Sequence, residues 1–219
     1  MEDPIIHYIT RSPGKVLLCG GYLILKPKNC GLVANVNSYF QCKSNVKFLR
    51  EKWVENENKI IKINIKSINY DIKYNYELSI KVIEDKLFVS LSDELKKNNN
   101  NFLYFSVLFS FYLVILKFSE ENFLNHIGEI NFTLNGDNNF YTFEKEKSSN
   151  FNKNYKTGLG SSSAMITSII SNIYLIFKAN KINEKRKGAL TTLFNQEEIG
   201  QINLFAILAN NFAQKKVFQ

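Results

Sequence analysis

The sequence predicts an α+β domain, on three observations. The first 95 residues read mainly as strands, long apolar helices fill much of the remainder, and neither an internal repeat nor a linker-like stretch divides the chain. Strands first, then helices that pack on one face of their sheet, is the α+β pattern. The chain has 219 residues, enough to bury a real core. With 45% hydrophobic and 22% charged residues it has the composition of a globular protein, not of a disordered one.

The elements are taken in chain order. Apolar runs at 5–9, 16–25 and 32–40 read as strands, with Ser12-Pro13-Gly14-Lys15 expected to break the chain between the first two. Residues 59–68 alternate: Ile61, Ile63 and Ile65 point one way, Lys62, Asn64 and Lys66 the other, as in a half-buried strand. Short strands fit 77–82 and 86–91. The polar tract 98–101 is a loop or helix entry, and 102–118 is a helix. Residues 128–134 read as a strand that ends in an Asn135-Gly136-Asp137 turn. The Lys-, Asn- and Ser-rich stretch 144–155 reads as a mobile loop. Helices are expected at 162–179, 184–193 and 197–215, the last with an apolar face around Leu204, Phe205, Ile207 and Leu208 that a single domain covers poorly.

Chemistry concentrates in two places. Residues 156–164 read Lys-Thr-Gly-Leu-Gly-Ser-Ser-Ser-Ala, ahead of an apolar helix. Two glycines allow a tight turn. The serines open a helix whose free N–H groups and dipole favour an anion. The pattern is not a Walker A loop, because Gly160 is followed by Ser161 and not by Lys. A flexible Gly/Ser linker is the plain alternative, and the helix behind it argues against that. The second place is Lys15, at the strand edge after Pro13 and Gly14. A lysine there can meet an anionic substrate or a developing negative charge. A solvated strand-start lysine is the plain alternative.

Other classes are disfavoured. The net charge is +8, yet the cations are mostly scattered lysines with no basic stripe interleaved with aromatics, so no nucleic-acid partner is expected. Cys19, Cys30 and Cys42 show no zinc spacing and suit a reducing compartment. Two histidines give poor support to a Ser-His-Asp hydrolase. The N-terminus lacks a signal-peptide pattern. The apolar run 102–116 is shorter than the ~20 residues of a bilayer span, so a buried helix and no membrane partner are expected. A cytoplasmic location follows as an expectation.

Taken together, Ser-Pro-Gly-Lys-Val-Leu-Leu-Cys-Gly-Gly-Tyr-Leu at 12–23 and Lys-Thr-Gly-Leu-Gly-Ser-Ser at 156–162 resemble the GHMP small-molecule kinases. Gly20-Gly21-Tyr22-Leu23, Lys156-Thr157, Asn139-Phe140-Tyr141-Thr142 and 209–217 (Ala-Asn-Asn-Phe-Ala-Gln-Lys-Lys-Val) are most similar to the eukaryotic phosphomevalonate kinase branch. The resemblance runs from about residue 9 to 217, in islands, and 43–100 is generic. It implies a ribosomal-protein-S5-domain-2-like fold for 1–219, the N-terminal, ATP-binding domain of such a kinase. It also implies ATP and Mg²⁺ as cofactors and 5-phosphomevalonate as the small-molecule partner. By the same resemblance Lys15 is catalytic. Lys156, Gly158, Leu159, Gly160, Ser161, Ser162 and Ser163 would contact ATP, with Ser162 also the Mg²⁺ ligand. Asp137, Asn138 and Asn139 carry no assigned role.

The departures are specific. Ser163 stands where the family commonly has alanine, and Asn210 where it has histidine. The family's Gly-Ser-Gly-Phe-Asp, with its expected catalytic carboxylate, has no counterpart after Val217. The expectation is therefore an incomplete chain, weak in turnover by itself, with a degenerate nucleotide-binding module or another GHMP kinase, such as a mevalonate kinase, as the alternatives.

Overall fold

The computed structural model describes residues 5–21, 26–49, 59–83, 86–93, 100–118, 127–144, 153–183 and 194–214. In chain order they form β1 (Ile5–Cys19), β2 (Leu32–Phe48), β3 (Lys59–Ser67), β4 (Ile72–Ile83), β5 (Lys86–Asp93), α1 (Asn101–Phe118), β6 (Ile127–Gly136), β7 (Tyr141–Glu144), β8 (Lys153–Lys156), α2 (Ser161–Asn183) and α3 (Gln196–Ala213). The first six strands make one sheet in the order β1-β2-β6-β3-β4-β5, and β7 and β8 pair separately. Within the large sheet β3 and β6 run parallel, and the other neighbours are antiparallel.

The alternation in β3 does what its period requires. Ile61, Ile63 and Ile65 are buried while Lys62 and Lys66 are exposed. The same parity carries across the sheet through Cys42 and Val46, Tyr76 and Leu78, and Ile130, Phe132 and Leu134, so one face is apolar. The helices cover that face, α2 lying on β1 and β2 and packing against α1 and α3. The fold is α+β, as expected.

Buried polar groups fix where α2 lies. Asn172 is fully buried and donates to the Cys42 carbonyl at 3.0 Å, while its side-chain oxygen accepts from the Ser44 hydroxyl. Four residues earlier, the Ser168 carbonyl accepts from Thr10 Oγ1 at 2.7 Å. These bonds tie the helix to β1, which carries Ser12 to Lys15, and to its neighbour β2. Asn172→Ala should cost about 2–3 kcal/mol, because it strands a buried carbonyl and a buried hydroxyl. A urea midpoint within error of the parent would refute that pinning.

α3 starts with a capping box: Asn195 Oδ1 accepts from Glu198 N at 2.9 Å and Glu198 Oε2 from Asn195 N at 2.7 Å. The same carboxylate meets Lys178 Nζ of α2 at 2.7 Å. Burial opposes the Glu198 charge. The Lys178 and Asn195 hydrogen bonds, the Lys178 charge and the Tyr174 hydroxyl outweigh it and hold the pKa below 4.5. A depressed carboxyl pKa gives stability that is complete above the unfolded value and is lost as pH falls through the folded one. Relative to Glu198→Gln, the parent should therefore keep its margin near neutral pH and lose it as pH drops below 4.5. Parallel stability–pH curves for the two proteins would contradict this.

Several expectations need correction. Ser12 to Lys15 do not break the chain, since β1 runs through them as a single strand. Pro13 is tolerated because β1 is an edge strand, and the local irregularity is a register shift. Asn135 and Gly136 end β6, and the chain turns in a 3-10 segment at Asn138–Phe140. The stretch read as a loop holds strand at both ends, Glu144 in β7 and Lys153 to Tyr155 in β8. The helix expected at 184–193 lies outside the described residues. The 102–116 run belongs to an 18-residue helix, and both α1 and Ser161–Ala179 of α2 are long and apolar enough to cross a membrane by length and composition. Each buries half or more of itself inside the domain. Phe105 and Phe109 of α1 meet Phe205 and Phe212 of α3, and Phe111 meets Phe177 of α2. On α3, Leu204 and Ile207 remain 55% and 58% exposed, whereas Phe205 is partly covered.

Candidate functional site

The two sequence motifs meet at Gly14. Pro13 of β1 pairs with Tyr39 of β2, and Lys15 pairs with Asn35, so three β2 residues stand opposite Gly14 alone. A Cβ on Gly14 would lie 2.7 Å from Phe140 Cε1, 2.8 Å from the Leu159 carbonyl oxygen and 2.9 Å from Val36 Cγ2. Only glycine lets the second motif come this close. In the next step of chain, Lys15 N donates to the Leu159 carbonyl at 2.9 Å. One hydrogen bond thus joins the lysine strand to the glycine loop.

The loop is held at its other end as well. Gly158 and Gly160 have φ of +82° and +75°, the left-handed region that a side chain disfavours. Before them, Thr157 N donates to the Phe140 carbonyl at 3.1 Å and Thr157 Oγ1 to the Asn139 carbonyl at 2.8 Å. Asn139 Nδ2 reaches Ser38 Oγ at 2.9 Å, and Asp137 Oδ2 accepts from Tyr39 N at 2.6 Å. Asp137 and Asn139, which sequence reasoning left without a role, therefore brace the loop against β2. Their signal was the Asn-Phe-Tyr resemblance alone. After the loop, Ala164 N makes the first helical bond, to the Gly160 carbonyl at 3.0 Å. The N–H groups of Ser161, Ser162 and Ser163 are thus the orphan donors of α2, whose first turn carries no acid.

Two hollows flank this helix start. A groove of about 720 Å³ runs between the free edge of β1, α2 and α3. Lys15, Gly160 and Ser163 line it near the loop, and Ile199, Ile202 and Ile207 form its apolar far wall. A smaller hollow of about 70 Å³ lies on the other side, lined among others by Tyr70, Tyr74, Tyr141, Lys156, Ser161 and Ser162. There Lys156 Nζ donates to Ser162 Oγ at 3.2 Å. Tyr70 and Tyr141 meet edge to face at 5.6 Å, and burial, then Tyr70, push the Tyr141 phenol up so that it stays neutral. The predicted residues thus divide: Lys156, Ser161 and Ser162 on one side, Lys15, Gly160 and Ser163 on the other. Gly158 is exposed and lines neither, and Leu159 contributes its carbonyl and packs against the core.

Among the described residues, no carboxylate lines either hollow, and no three of His, Cys, Asp and Glu gather as a metal site. Ser162 Oγ is a single hydroxyl oxygen at the loop, where it accepts from Lys156 Nζ. It suits a magnesium ion that takes most of its ligands from phosphate and water, not one held by protein alone.

No family model matches this chain. It is similar to "Phosphomevalonate kinase, peroxisomal" of Arabidopsis thaliana, 24% identical over 251 residues, which cover 95% of this chain and 46% of that protein. Among solved structures, the Lin0012 protein of Listeria innocua shares the fold at a TM-score of 0.50 and 14% identity, over 96% of this chain and 43% of that one. The mevalonate kinase of Methanococcus jannaschii aligns at a TM-score of 0.48 and 12% identity, over 96% and 48%. The chain spans about half the length of each of these proteins.

Proposed function

We propose that residues 1–219 are the N-terminal, ATP-binding domain of a GHMP-type kinase, and that its reaction is that of phosphomevalonate kinase. A phosphate oxygen of 5-phosphomevalonate would attack the γ-phosphorus of ATP, the β–γ bridging oxygen would leave with ADP, and 5-diphosphomevalonate would result. The hydrogen bond from Lys15 N to Leu159 O carries this reading, since it sets a cation beside the free amides of the loop. Phosphoryl transfer asks mainly for such positioning and charge neutralisation. The nucleoside end of ATP would lie against the tyrosines of the small hollow beside Ser161 and Ser162, and the acceptor would take the Lys15 groove. Lys156 and the loop amides would hold the phosphates. A magnesium ion carried by the nucleotide would take Ser162 Oγ and offset phosphate charge there.

Calorimetric titration with MgATP, and then an ADP-release assay with 5-phosphomevalonate and with mevalonate, tests this. The reading requires nucleotide binding, and 5-phosphomevalonate binding in preference to mevalonate. Absence of nucleotide binding would overturn it, and a preference for mevalonate would move the chain to another member. A second reading, a nucleotide-binding module without transfer, is favoured by the lack of a carboxylate lining either hollow among the described residues. It expects ATP binding with no ADP release under any acceptor.

A further inference from the structure

Several hydroxyls in this domain are committed to structural bonds. Ser106 and Ser110 donate to the carbonyls one turn back in α1, Ser168 bonds the Met165 carbonyl, and Thr10 and Ser44 tie strand to helix. Four hydroxyls line the large groove without a side-chain hydrogen bond among the described residues, Ser12, Ser163, Thr167 and Ser171, the last of them two turns of α2 farther from the glycine loop than Ser163. Ser163 and Thr167 sit one turn apart on α2, and Ser12 comes from β1 opposite them. Ser12 is only 8% exposed. Its hydroxyl is unpartnered but not sealed from solvent, so a ligand oxygen in the groove can reach it. Ser12, Ser163 and Thr167 line the same groove as Lys15, and Ser163 occupies a position where the resembled kinases commonly carry alanine, which could not bond there.

We infer that Ser12, Ser163 and Thr167 are specificity-determining residues that hydrogen-bond the oxygens of the phosphoryl acceptor, a small oxygen-rich anion held in the groove between β1, α2 and α3. This rests on the kinase reading above and assigns three residues of the acceptor side that the glycine-loop motif does not. The arrangement is selective because the groove offers donors and a cation but no lining carboxylate among the described residues. An acceptor with few oxygens would leave these hydroxyls unpaired, the situation in which a polar site rejects an analogue most strongly. Apolar Ile199, Ile202 and Ile207 opposite them would take the carbon skeleton.

The test uses the chain itself, with 5-phosphomevalonate and MgATP titrated separately by calorimetry and thermal melts recorded in parallel. Thr167→Val keeps the shape and removes the hydroxyl, and Ser12→Ala and Ser163→Ala do the same at the other two positions. Each should weaken 5-phosphomevalonate by about tenfold, and the Thr167→Val/Ser12→Ala pair by more, with MgATP affinity within about twofold of the parent for Thr167→Val and for Ser12→Ala. A merely structural role would lower the melting temperature and weaken both ligands together, and that result would overturn the inference. So would an unchanged 5-phosphomevalonate affinity in all three variants while the parent binds both ligands, and in that case the kinase reading would survive. A parent that binds MgATP but no 5-phosphomevalonate also overturns it, leaving a nucleotide site without this acceptor. A parent that binds neither overturns both.

Discussion

Gly160→Val is expected to weaken MgATP binding by about a hundredfold while the domain stays folded, because two costs fall on one position. The first is conformational: φ is +75°, and a branched side chain there is strained by roughly 1–2 kcal/mol. The second is steric. Even a Cβ would lie 3.2 Å from Lys15 Cγ and 3.7 Å from Lys15 Cε, so a valine must push away the cation that the loop is meant to share with phosphate. Backbone amides can cradle a phosphate only when nothing projects between them and it. Calorimetry reads the affinity, and circular dichroism confirms that the helix persists. An affinity within about threefold of the parent, in a folded variant, would remove the phosphate-loop assignment.

Gly14→Ala should have the larger effect on stability. Its new methyl would meet Phe140 Cε1, the Leu159 carbonyl and Val36 Cγ2, all under 3 Å, and one of the three is main chain that cannot rotate aside. Overpacking of this kind costs roughly 1–3 kcal/mol. For a chain of this size each kcal/mol lowers the melting temperature by roughly 2–4 °C. Phe140 is fully buried and the Leu159 carbonyl belongs to the loop, so relief comes from opening the Lys15–Leu159 bond. The variant should therefore lose nucleotide affinity together with stability, and more stability than Gly160→Val, whose clash is with a lysine side chain that can move aside. A melting temperature equal to the parent would show that the close approach at Gly14 is not required.

Legibility in the sequence divides along physical lines. The period of two in β3 was legible because isoleucines and polar residues alternate without exception from Ile61 to Lys66. The glycine loop was legible because left-handed backbone leaves its mark on residue type. β8 was not, since Lys-Asn-Tyr-Lys has no apolar rhythm and pairs only with its neighbour β7. Nor was the continuity of β1 through Pro13, because whether a proline breaks a strand depends on whether that strand is an edge, and edges are a property of the sheet. The brace from Asp137 to Tyr39 and from Thr157 to Asn139 escaped for a similar reason: side-chain bonds to distant main chain impose no spacing. The division of the serines was hidden too, because Ser161 and Ser162 face one hollow and Ser163 the other only once the helix start is placed.

The place of β6 between β2 and β3 sets a timetable for synthesis. The β1–β2 hairpin and the β3–β4–β5 meander can each form as soon as they are made, yet nothing in the sheet joins them until the strand Ile127–Gly136 arrives. About 60 residues separate the end of β3 from the start of β6, which at ribosomal speeds is roughly 3–12 s. Throughout that interval the nascent chain carries two open strand edges that the finished sheet lacks, those of β2 and of the isoleucine-rich β3, each able to pair with another molecule. The late strand that completes the sheet is thus also the one that ends its exposure to aggregation, and the burden on chaperones should fall within that window and not after release.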